Sequence, residues 1–146
     1  MLLLLTAFIA LGLAGVFGQR PGSTTALGEA ADLTLSAPAG IRGGLVFEVE
    51  VRVRAHRDLR QAELVFAPGW YEGFTINTFE PEPEGWVQRD GRNVMQYGPL
   101  ASGDELVVHL QYQANPTALG GRDQSVAVAD GGTELVALEH HATVYP

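Results

Sequence analysis

The chain has 146 residues, no cysteine, 46% hydrophobic residues and a formal net charge of −8. Without cysteine it has no disulfides, thiolate metal sites, iron–sulfur clusters or cysteine nucleophile, so an exported form rests on packing alone. All 9 basic residues are arginines and they are scattered, which excludes the clustered positive footprint that nucleic acid requires.

The first element is apolar. Leu2 to Gly18 reads LLLLTAFIALGLAGVFG, uncharged and with Thr6 as its polar residue. As a helix this run reaches roughly 25 Å, against about 30 Å of hydrocarbon, so Gln19 and Arg20 would sit at an interface. It is read as a transmembrane anchor or uncleaved signal over residues 1–18. The competing reading is a cleaved secretory signal, but no basic stretch precedes the run in this sequence and Val16-Phe17-Gly18 is a poor small-x-small site. Ala10, Ala14 and Gly18 recur at four-residue spacing, a smooth strip on which two such helices could pair as a homodimer. Arg20 alone would bias its side toward the cytoplasm, and the amino terminus supplies one positive charge on the other side. The expected topology is a single-pass cell-membrane protein with its C-terminal domain outside the cytoplasm.

Residues 19–31, QRPGSTTALGEAA, lack apolar periodicity and are read as a flexible stalk, about 40 Å when extended. A single domain, 32–146, follows. Leu45, Phe47, Val49, Val51 and Val53 alternate with Val46, Glu48, Glu50, Arg52 and Arg54. A period of two predicts a strand with one buried and one wet face, whereas a helix would drive those charges into a core. Leu106, Val108, Leu110 and Tyr112 repeat the pattern against Val107, His109, Gln111 and Gln113. Shorter strands are predicted at 32–37, 62–66, 74–79, 86–89, 93–97, 124–129 and 134–145. Turns are predicted at Pro38-Ala39-Gly40, Gly43-Gly44, Pro68-Gly69, Asp90-Gly91, Ser102-Gly103-Asp104, Gly120-Gly121 and Asp130-Gly131-Gly132. The pattern is an all-β sandwich, with a closed barrel as the alternative.

Gly44 to Val53, Leu64-Val65-Phe66-Ala67-Pro68-Gly69-Trp70, Gly85-Trp86, and Gly98-Pro99-Leu100-Ala101-Ser102-Gly103-Asp104-Glu105 leading into a long strand resemble the immunoglobulin-type conserved-repeat domains of bacterial cell-surface and S-layer-associated proteins. The resemblance covers Asp32 to the C-terminus and implies an immunoglobulin-like β-sandwich and a surface role. The chain departs from that pattern at His56-Arg57-Asp58 and lacks the cysteines some members carry near the tryptophan. One anchor followed by one such domain is similar to bacterial membrane proteins from high-GC genomes, where arginine replaces lysine.

Four histidines, His56, His109, His140 and His141, are the first candidates for metal ligation. Adjacent strand residues point to opposite faces, so His140 and His141 cannot grip one ion; His140 is expected inside and hydrogen-bonded, and His141 outside. No metal and no cofactor are expected. No nucleophile elbow, phosphate loop or zinc-helix motif is present, and Glu48 and Glu50, about 7 Å apart on one strand face, are read as a solvated surface. The segment Glu80-Pro81-Glu82-Pro83-Glu84 sets carboxylates on an extended loop beside aromatic residues. Such a loop suits a basic partner, a sugar or a cation, its proline geometry limiting the entropy lost on docking. The predicted contact residues are Trp70, Tyr71, Glu80, Glu82 and Glu84, with Phe79 and Trp86 expected to fill the sandwich. The function expected is a membrane-anchored accessory or interaction module without catalysis, its partner a membrane or cell-envelope protein. The alternatives are a periplasmic metal-dependent or hydrolytic enzyme using His109, His140 or His141, and a structural spacer.

Overall fold

The computed structural model describes residues 2–13 and 21–146. A helix, α1 (Leu2–Leu13), precedes thirteen strands: β1 (Gly22–Ala26), β2 (Ala31–Ala37), β3 (Gly40–Arg42), β4 (Val46–Ala55), β5 (Ala62–Phe66), β6 (Phe74–Glu80), β7 (Gly85–Arg89), β8 (Arg92–Gln96), β9 (Glu105–Ala114), β10 (Gly120–Asp123), β11 (Val126–Asp130), β12 (Thr133–Leu138) and β13 (His141–Tyr145). They form a five-stranded sheet in the order β1-β2-β4-β9-β6 and another in the order β12-β11-β5-β8-β7. A three-stranded sheet, β10-β13-β3, completes the fold.

The period-two pattern of β4 and β9 decides how the two large sheets meet. They pair antiparallel, Val49 opposite Leu110 and Val51 opposite Val108, so their apolar residues share one face. Leu33 and Leu35 of β2 extend that face, and Leu64, Phe66, Met95, Val126 and Val128 of the second sheet close on it. Charges alternate out: Arg52 bonds Glu50 at 3.0 Å and Glu105 at 3.1 Å across the outer surface. Strand β5 is buried along its whole length. On its outer side Val65 packs with Val94, Ala127 and Ala129 in a small second cluster.

Several expectations change. The segment read as a stalk contributes β1, which pairs with β2 from Gly22 to Ala26, and its hydroxyls bridge across: Ser23 to Ser36 at 3.1 Å and Thr25 to Thr34 at 3.0 Å. Leu45, expected on the buried face, is 48% exposed; it lies one residue before β4, at the margin of the sheet, where its carbonyl accepts from the Ala114 amide at 3.1 Å. Residues 134–145 are two strands, β12 in the second large sheet and β13 in the small one, parallel to β3. Among the described residues no helix is long and apolar enough to cross a membrane. Of the small-residue strip, Ala10 lies exposed in α1, whereas Ala14 and Gly18 fall outside the described residues.

Candidate functional site

Strand β6 is the edge of one large sheet and β7 the edge of the other, so the loop 81–84 crosses the open side of the sandwich. The sequence fixes this crossing locally. The Glu80–Pro81 peptide is cis, Pro83 is buried, the Glu84 amide donates to the Gln96 carbonyl at 2.7 Å, and the Tyr97 hydroxyl donates to the Pro81 carbonyl at 3.3 Å. Gly98, at φ +77°, lies under the Glu84 carboxylate, where a Cβ would sit 2.8 Å from Oε1. The positive backbone angle is what favours glycine there, since the exposed carboxylate can move aside. Glu80, Glu82 and Glu84 are exposed, and none takes part in an ion pair among the described residues.

Strand β7 brings Trp86 beside this loop. Its side chain is 41% exposed and meets Phe79 of β6 edge-on at 5.2 Å, while Val87, on the opposite face of the strand, is 38% exposed. Trp86 therefore laps over the end of the core, a correction to the expectation that it fills the sandwich, because β7 is an edge strand. The β7–β8 hairpin turns on Asp90 (φ 53°) and Gly91 (φ 73°) and is clamped by Arg89. The guanidinium of Arg89 reaches over β8 to bond Glu63 of β5 at 2.9 and 3.3 Å. Glu63 is 1% exposed and also accepts from Gln96 at 3.3 Å and from the Gly132 amide at 3.0 Å. The Arg89 guanidinium holds its carboxyl below the usual carboxylate range, against the opposing effect of burial.

Trp70 is the principal correction. It is 0% exposed, packed against Phe66 at 5.9 Å and Tyr112 at 5.4 Å, with its indole N–H donating to the Ser125 carbonyl at 3.2 Å. The cause is the 3-10 turn Pro68–Trp70: Gly69 rests directly on the Asp123 backbone, where no Cβ fits, so the turn swings the indole inward. Tyr71 is half-buried with an enclosed hydroxyl, and burial pushes its phenol well above the usual range. Trp70 is thus enclosed by the core, and Tyr71 offers only part of its ring to solvent. The loop carboxylates are where a partner could reach them, and the aromatic residue beside them is Trp86.

The histidines are dispersed. His56 bonds Asp32 at 2.9 Å and holds that carboxyl below its usual range. His109 is exposed, 3.8 Å from Glu50. His140 lies half-buried, stacked on Trp70 at 6.4 Å and donating to the Pro38 carbonyl at 3.3 Å, and burial pushes its imidazole below the usual value. His141 is exposed. Among the described residues no three ligating side chains are placed to hold a metal ion. A groove of about 440 Å³ on the outer face of the first sheet is lined by Glu48, Glu50, Thr78, Glu80, His109 and Gln111. Its Glu50 is already committed to Arg52.

No family model matches the chain, and no curated protein does. The solution structure of CaCohA2 from Clostridium acetobutylicum aligns with 80% of this chain and 92% of that one, at 13% identity and a TM-score of 0.51. A non-cellulosomal cohesin from the hyperthermophilic archaeon Archaeoglobus fulgidus aligns over 73% and 86%, at 9% identity and a TM-score of 0.45. A CARDB domain from Pyrococcus furiosus, solved with di-metal ions, aligns over 84% and 95%, at 16% identity and a TM-score of 0.46. At 13% identity the likeness to CaCohA2 is one of fold. The chain is an all-β sandwich with immunoglobulin-like neighbours. Of the resemblance to conserved-repeat surface domains, the sandwich is what remains.

Proposed function

We propose that this protein is an accessory module that binds another protein of the cell envelope and carries out no catalysis. The observation that supports this reading is the edge where the sheets part: an exposed Trp86 braced by Phe79, beside carboxylates of Glu80, Glu82 and Glu84 that no arginine neutralises among the described residues. Exposed aromatic surface with preset loop geometry is the composition of a contact patch, and the fixed backbone limits the entropy lost on docking. The likeness to CaCohA2 adds a fold on which such a patch can be carried; CaCohA2 itself has been solved in a complex with CaDoc0917.

The uncharged run from Leu2 to Gly18, of which α1 forms the first part, serves in this reading as the membrane anchor, with the sandwich held outside the cytoplasm. Protease protection on intact cells tests the topology: cleavage of the sandwich from outside is expected, and full protection would reverse the orientation. For the interaction, we compare recovery of co-purifying envelope proteins by the full chain and by the variants E80Q/E82Q/E84Q and W86A. Loss of a discrete band in both variants is expected. Identical recovery from all three would reduce the protein to a spacer.

A further inference from the structure

The way the four edges of the large sheets are finished leads beyond a general contact patch. Strand β6 carries a register shift between Ile76 and Thr78, and the β11–β12 pair carries one at Val128/Ala129. Bulges of this kind twist an edge away from further pairing. Strand β1 is regular, but it is a run of Gly, Ser, Thr and Ala that presents no large apolar side chain. Strand β7 differs from all of these. It pairs with β8 over five residues without a shift, it carries Trp86 and Val87 in exposed positions, and among the described residues no strand pairs with its far side.

The direction of its backbone groups follows from β8. The Tyr97 amide donates to Ala62 of β5, so Tyr97 and Met95 turn their backbone groups toward β5, and Val94 and Gln96 turn theirs toward β7. Their partners Val87 and Gly85 are thereby used, and Trp86 and Gln88 direct their N–H and C=O groups outward along the open edge. Charge completes the description of the occupant. Glu84 precedes the strand, Asp90 follows it, Glu82 lies on the adjoining loop, and Glu80 ends β6 where that loop begins. The arginines on this face are already engaged, Arg89 by Glu63 and Arg92 by Glu134 at 4.0 Å. A second copy of the chain would set these same carboxylates against each other; a basic extended segment would meet them at both ends of the strand.

We propose that β7 is a docking edge that takes up an extended basic segment of a partner protein as an added strand, its backbone bonded to Trp86 and Gln88 and its cationic side chains met by Glu80, Glu82, Glu84 and Asp90. This rests on the interaction reading above. Hydrogen bonds to the backbone supply the affinity, and the carboxylates supply the preference for basic sequence.

The probe is a blocked peptide alternating lysine and valine, offered to the full chain in detergent and followed by amide hydrogen exchange and by titration. Two control peptides carry glutamate for lysine, or N-methyl groups on alternate amides. Binding of the basic peptide with slowed exchange at Trp86 and Gln88 is expected. N-methylation, and separately the variant Q88P, should each weaken binding about tenfold. Proline at residue 88 removes an outward-facing N–H and leaves the β8 ladder intact, and the N-methylated peptide needs no variant to fold. Equal binding of the N-methylated peptide, or exchange unchanged along β7, would overturn strand addition. Equal binding of the glutamate peptide would overturn the basic occupant. Exchange at β7 that slows with protein concentration alone would assign the edge to a second copy and overturn it too. Each of these leaves the wider interaction reading standing, whereas that reading falls if the envelope-protein recovery above is the same for every variant.

Discussion

The chain contains two Gly-Trp dipeptides, each preceded by proline within three residues, and the fold gives them opposite fates. Trp70 is 0% exposed between the sheets, and Trp86 is 41% exposed at their open edge. The difference does not lie in the dipeptide. Gly69 follows Pro68 in a 3-10 turn pressed against β10, which aims the indole into the core where a backbone carbonyl satisfies its N–H. Gly85 opens an edge strand, so the indole after it has Phe79 on one side and solvent on the other. The same residue type serves packing in one place and is free for recognition in the other.

That contrast is sharpest in stability. Trp70→Ala removes a fully enclosed indole and should cost about 3–5 kcal/mol, a large share of the stability of a domain of this size, as read by urea denaturation. Trp86→Ala should cost about 1 kcal/mol or less and leave the β-type circular dichroism unchanged. Equal losses would erase the distinction between core and edge.

The Arg89–Glu63 clamp links the two regions, because it ties the exposed hairpin to a buried strand. Arg89→Ala leaves a carboxylate enclosed without its cation, and a loss of about 2–3 kcal/mol is expected. The clamp also sets a pH dependence. Glu63 has a lower pKa folded than unfolded, so in acid the unfolded chain binds more protons; its contribution is complete above the ordinary glutamate range and is lost as pH falls through the folded value. Urea melts from neutral pH downward should show this loss in the native protein and a shallower one in the Arg89→Ala variant.

Gly98→Ala tests the loop itself. The positive φ opposes a side chain there, so about 1–2 kcal/mol of destabilisation is expected, with faster amide exchange at Glu84 as its carboxylate is displaced. The smallest effect is at His140. Burial lowers its folded pKa below the unfolded value, so it contributes stability above the ordinary histidine pKa that is lost as pH falls through the folded one. His140→Gln should flatten the stability profile in that window by a few tenths of a kcal/mol, about the size of a half-buried effect.

Much of the sandwich is legible in the sequence. Strands β4 and β9 declare themselves because each has one greasy face and one that is charged or mostly polar, and the Gly and Pro clusters locate most reversals. What escapes does so for identifiable reasons. Strand β1 is built from Ser, Thr and Gly, whose bonding to β2 is invisible to hydropathy. Strands β3 and β10 begin at Gly40 and Gly120, which read as turn residues. The division of residues 134–145 depends on which sheet each half joins. The candidate site is half legible: composition picks out the acidic loop, but whether Trp70 or Trp86 is exposed beside it is decided by tertiary position. Glu63 leaves one readable trace, a single charge in the otherwise apolar strand Ala62–Phe66.

The most direct test of the edge as a contact surface is photo-crosslinking in intact cells. A photoreactive residue is placed at Trp86 and, as the comparison, at Leu119, which is 47% exposed on the β9–β10 connection. A discrete adduct with an envelope protein from position 86, absent from position 119 and lost when Glu80, Glu82 and Glu84 are changed to glutamine, is the expected result. Adducts of equal yield from both positions, or from position 119 alone, would contradict it.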